Sequence, residues 1–144
     1  MNIETALREV GEVVAGVTPP SKPTEIYRFR DKGDLLYGGH VDDRAFQFVG
    51  VTRDALLEPA DDPARAEYTA AILIGFSSQG AFESEVRPVR EAARIARALE
   101  RKEQWSPGIQ FVEPGIIERL TAESLDPNDS FAAIELTVII NEED

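Results

Sequence analysis

Residues 83–103, ESEVRPVREAARIARALERKE, constrain the fold more than any other stretch of this chain. An α-helix turns about 100° per residue. On that wheel Val86, Val89, Ala92, Ala93, Ala96 and Leu99 fall on one broad side, with Ile95 at its edge. Arg87, Arg90, Arg94, Arg97 and Arg101 gather in a sector roughly 80° wide on the other side. A helix with one apolar side has to lie on a layer that offers a matching apolar face. Pro88 is compatible with a start at Phe82 or Ser84. It then lies within or just beyond the first turn, where few backbone donors have partners.

The matching layer is read as a sheet. In residues 68–76, YTAAILIGF, Tyr68, Ala70, Ile72, Ile74 and Phe76 share one face while Ala71, Leu73 and Gly75 share the other. Both faces are apolar, which predicts a central, covered strand. In residues 131–141, FAAIELTVIIN, Ala132, Ile134, Leu136, Val138 and Ile140 form an unbroken apolar face. Phe131, Ala133, Glu135, Thr137 and Ile139 form a mixed one, so this strand is half-buried beside the central strand. Residues 45–52 make a further strand with Phe46 and Phe48 on one face, and residues 25–30 an edge or solvent-facing one. Residues 109–112 read as a short strand, Glu113-Pro114-Gly115 as a turn, and 116–123 as either a strand or a helical turn.

At the start of the chain Ile3, Ala6, Leu7, Val10 and Val14 repeat at helical spacing, with Asn2 as N-cap and Gly16 as stop. Pro19, Pro20 and Pro23 forbid continuation. Residues 31–43, DKGDLLYGGHVDD, read as a polar, Gly-containing loop, 53–66 as irregular, and 126–129 as a turn. The expected architecture is one α+β domain over residues 1–144. It is a mostly antiparallel four-stranded sheet covered on one face by two amphipathic helices, with long mobile loops.

The charge balance narrows the function. The net charge is −12, and after Gln104 Arg119 is the only base. A general field of this sign does not attract nucleic acid phosphates. No apolar run approaches the roughly 18 residues of a membrane span, and the N-terminus lacks a signal-peptide pattern, so a soluble intracellular protein is expected. The chain has no cysteine, which removes disulfides, thiolate metal sites and cysteine nucleophiles.

The remaining chemistry is thin. His40 is the only histidine and lies near Asp42 and Asp43, but nothing around it supplies the second shell of a metal site. Gly38-Gly39 has no phosphate-loop pattern around it, and no Gly-x-Ser-x-Gly elbow exists. The pair Asp61-Asp62 means little in a chain with 27 acids. Trp105 reads as a core or interface aromatic. No catalytic residue, cofactor or metal is expected, and the chain is read as a non-enzyme.

The arginine row has two readings. One is a solvated face with local pairs, Glu83 with Arg87 and Glu91 with Arg94. The other is a subunit interface formed by Arg87, Arg90, Arg94, Arg97 and Arg101, meeting an acidic surface on another copy.

The layout resembles that of the tail-terminator and neck proteins of long-tailed bacteriophages. IETALREVGEVVAGV is similar to their first helix. The strand at 68–76 followed by the helix at 83–103 is similar to the middle of that family, and AAIELTVIINEED to its last strand. The Pro-rich residues 58–66 fall outside the likeness. The resemblance implies a structural protein that forms a ring, usually of six copies, on the end of the tail tube. Such a ring stops tube polymerisation and offers the surface on which the head docks. The implied partners are other copies of the chain, the tail-tube protein and the head–tail connector proteins. DNA passes through without specific binding, and no membrane is involved. The implied location is the virion tail or neck, and the host cytoplasm during assembly. Leu35, Leu36, Tyr37 and His40 would form a loop touching the tube or a neighbour. A head–tail connector, or a non-enzymatic cellular adaptor using the same arginines, is the alternative.

Overall fold

Asn2 opens the first helix, α1 (Ile3–Gly16), in the computed structural model, and its side-chain oxygen accepts the Thr5 N–H at 2.8 Å. The structure describes residues 1–17, 38–41, 44–54, 65–77, 81–120 and 129–142. The elements after α1 are β1 (Gly38–Val41), β2 (Arg44–Arg53), β3 (Arg65–Ser77), α2 (Ala81–Arg101), β4 (Ile109–Leu120) and β5 (Asp129–Asn141). All the pairings are antiparallel, in the order β1-β2-β3-β5-β4. The α+β reading therefore holds, with β3 at the centre and β5 beside it.

The strand count differs from expectation. The described sheet has five strands, because residues 38–41, read as loop, pair with β2 so that Val41 stands opposite Arg44. Two glycines hide the alternation that marks a strand. The strand read at 25–30 lies outside the described residues.

The turn read at Glu113-Pro114-Gly115 is not a turn. β4 runs straight through it, with Pro114 opposite Leu136 and Ile117 opposite Ile134. Three steps on β4 match two on β5, so the strand carries a bulge. Proline is tolerated here because β4 is an edge strand and its lost donor interrupts no second ladder.

The register of β4 to β5 also shifts between Ile109 and Phe111, and that of β2 to β3 between Val49 and Thr52. Gly50 takes φ 63° there.

Both helices lie on the same side of the sheet. Ala6, Leu7, Val10 and Val14 of α1 join Ala92, Ile95, Ala96 and Leu99 of α2 over Phe46, Phe48, Ile72, Ile74, Ile134, Leu136 and Ile140. These sheet residues are the inner alternation of β2, β3 and β5. Ile95, read at the edge of the apolar side of α2, is fully buried, whereas Val89 is exposed. The apolar stripe is thus turned toward Ile95, which brings Glu91 into the core margin. The helix also starts earlier than expected, at Ala81, so Pro88 is its eighth residue and lies in the second turn.

Among the described residues, helices cover one face of the central strand. Thr69, Ala71 and Leu73 on its outer side are half-buried, because no described helix lies on that side.

Two ties fix α1 to the α2–β4 connection and to β5. Glu9 accepts the Ser106 N–H at 2.9 Å and the Ser106 hydroxyl as well. The Met1 amino group donates to the Asn141 carbonyl at 3.3 Å, joining the start of α1 to the end of β5. Trp105 is half-buried against the core margin, with the Lys102 ammonium 5.1 Å from its ring centre.

Candidate interaction surface

The five arginines read as one ridge divide into groups. Arg94 donates to both oxygens of Glu91, at 3.0 and 3.3 Å, and Arg90 Nε lies 3.8 Å from the same carboxylate. Glu91 is only 2% exposed. A buried carboxylate needs a cation beside it, so Arg94 serves the fold. Arg97 and Arg101 are exposed and have no ion pair among the described residues. Arg87 belongs to α2, but its side chain lies outside the description.

Arg94, Arg97 and Arg101 line one wall of an open groove of about 500 Å³ between the two helices. Val13 and Ala98 contribute apolar surface, and Glu12 is its acid. The helical side of the molecule therefore carries free positive charge at the C-terminal end of α2, where guanidinium groups also complement the helix dipole.

The outer side of the sheet has the opposite character. The cross-strand register places Glu67 beside Ile139, Glu113 beside Thr137, Glu118 beside Ala133 and Glu135 beside Ala71. All four glutamates stand on the outward alternation of β3, β4 and β5, and Arg65 is the base at its margin. Between them lie apolar groups. Phe111 is 42% exposed and Ile116 65%. Ala71 and Ala133 form the floor of a depression of about 230 Å³, walled by Ile116, Glu118 and Glu135. The bulge keeps its wall close, since a Cβ on Gly115 would sit 3.4 Å from that of Glu135.

A third polar cluster closes one end of the sheet. Arg53 donates to one oxygen of Glu142 at 3.1 and 3.3 Å, and the Tyr68 hydroxyl donates to the other. The Tyr68 hydrogen bond holds the Glu142 carboxyl below the ordinary glutamate range; partial burial opposes this, and Arg53 reinforces it. Burial first, then the Glu142 carboxylate, pushes the Tyr68 hydroxyl above the ordinary tyrosine value. The cluster joins β2, β3 and the end of β5, which is a structural task.

Of the residues read as a contacting loop, Leu35, Leu36 and Tyr37 lie outside the described residues. His40 belongs to β1, opposite Ala45, and its side chain is likewise outside the description. The glutamate row on the outer face was missed in the sequence. Its signal was present in Glu135, on the mixed face of the last strand, but reading residues 113–115 as a turn broke the alternation that carries Glu113 and Glu118.

Compared with known proteins, the chain matches no protein-family model, and no curated protein matches its sequence. Among the described residues no helix is long and apolar enough to cross a membrane.

Proposed function

We propose that this chain is a structural assembly protein of a long-tailed bacteriophage. Its role is that of a tail terminator, whose copies close into a ring, expected to be of six, on the end of the tail tube. The ring halts tube growth and gives the connector proteins of the head a docking surface. Its place is the virion tail, after assembly in the host cytoplasm.

The observation that carries the reading is the outer face of the sheet, over which no described helix lies. Phe111 and Ile116 expose large apolar groups on it, beside the half-buried Ala71, Leu73 and Ala133. Large apolar groups exposed on a sheet face mark a surface for association. The likeness in layout supplies the kind of assembly. The charge suits it too: a ring built from a chain of net charge −12 repels DNA phosphates, so the genome passes without adhering.

The test is native mass spectrometry over a concentration series, repeated with polymerising tail-tube protein and followed by negative-stain microscopy. A closed oligomer and tubes of arrested length are expected. A monomer at every concentration, together with tubes that grow unchanged in its presence, overturns the reading.

A further inference from the structure

The geometry points to a specific contact between copies: the outer sheet face of one copy receives the Arg97 and Arg101 end of α2 of the next. This rests on the assembly reading above and names the surfaces it uses.

The argument is from charge and symmetry. The outer face carries Glu67, Glu113, Glu118 and Glu135, while Arg97 and Arg101, with no ion pair among the described residues, stand on the helix layer across the sheet. One copy cannot bring these surfaces together within itself, because the sheet and its core lie between them. A two-fold contact uses the same patch on both copies, and two surfaces on opposite sides of the sheet cannot share one patch. Only a head-to-tail contact pairs the opposites, and such contacts close into rings when the rotation per copy permits. The depression between Glu118 and Glu135 is suited to the incoming side chain. Its alanine floor and Ile116 wall take the aliphatic stem of an arginine, and its two carboxylates take the guanidinium.

The absence of native cysteine allows a direct test. The variants Arg97→Cys and Glu118→Cys, one carrying a mass label, are co-expressed and treated with a short bismaleimide. This reagent spans the separation of an arginine–glutamate pair, which exceeds the reach of a disulfide. The pair Arg101→Cys and Glu135→Cys is run in parallel, and circular dichroism checks the fold of each. A cross-link between the two different variants is expected, with none from either variant alone. A closed oligomer without the mixed cross-link in either pair overturns this contact and leaves the ring standing. The mixed cross-link in an open, unclosed series upholds the contact and removes the ring. Monomers with no cross-link at any concentration remove both.

Discussion

Arg94 lies over the carboxylate of Glu91 at 3.0 Å, and the carboxylate is almost wholly buried while the arginine remains partly in water. The pair sits where the apolar stripe of α2 meets its basic side, so one turn of helix holds both a core position and its counter-charge. It explains why a row of five similar arginines in the sequence is not a row of five equivalent groups. Arg94 belongs to the fold; Arg97, three residues on, and Arg101, seven on, have no ion pair among the described residues.

Replacing Arg94 by Ala should therefore destabilise the monomer where replacing Arg97 does not. Removing the partner of a fully buried carboxylate costs about 3–5 kcal/mol. Arg90, 3.8 Å away, and the solvent at Arg94 soften this, so a loss of about 2 kcal/mol is expected for R94A. R97A should stay within about 0.5 kcal/mol of the parent. Urea unfolding of both variants checks this, and equal midpoints would show that Glu91 is satisfied without Arg94.

The bulge in β2 gives a second expectation. Gly50 has φ 63°, and a Cβ there would meet no atom within 4 Å. Any cost of Gly50→Ala is then a backbone cost, about 1–2 kcal/mol for an L residue in the left-handed region. Gly50→Asn should lose less, since asparagine tolerates that region. If the two substitutions cost the same in thermal unfolding, the bulge does not hold Gly50 in this conformation.

The cluster at the sheet end makes stability depend on pH at both extremes. Glu142 has a folded pKa below its unfolded one, so its contribution is present above the ordinary glutamate value and is lost as pH falls through the folded one. Tyr68 is shifted upward, so its contribution is present below the ordinary tyrosine value and is lost as pH rises through the folded one. Glu142→Gln should abolish the acid part of this pH dependence. It should only shrink the alkaline part, because burial is the larger cause at Tyr68. Tyr68→Phe should remove the alkaline part. Chemical denaturation from pH 3 to 11 measures the differences, and a parent-minus-E142Q difference that does not change with pH would exclude the linkage.

Much of this fold was legible because its inner alternation is uniform. Ala132, Ile134, Leu136, Val138 and Ile140 read as one face, and all are buried. Asn2 read as a cap and is one. The failures share a physical cause: local turn chemistry was read without the sheet that overrides it. Pro114-Gly115 breaks an isolated strand, yet on an edge it makes a bulge. Ile95 lies at the rim of the wheel but at the centre of the contact, since the helix is rotated by what it packs against, and the wheel does not contain the sheet. The candidate surface was half legible. The arginines were visible as a row, whereas the glutamates opposite them come from three strands and adjoin only through cross-strand register.

That register makes a charge-swap experiment possible. In the parent, the free end of α2 is basic and the outer sheet face acidic. The variant Arg97→Glu with Arg101→Glu makes both surfaces acidic; the variant Glu118→Arg with Glu135→Arg makes the sheet face basic to match the helix. All four positions are side chains outside the core, so each variant should retain the parent's monomer stability to within about 1 kcal/mol. Neither should assemble alone, because every head-to-tail contact then sets like charge against like, which costs association strongly. Mixed in equal amounts, they should assemble, with the acidic α2 of one on the basic sheet face of the other and the basic α2 of the second on the acidic sheet of the first. The complexes should contain the two variants in alternation and therefore in equal number, which a mass label makes readable. Raising the salt concentration should weaken the parent's assembly, as it does for exposed charge pairs. Assembly of either variant alone at the parent's concentration would show that these four residues do not govern how copies meet.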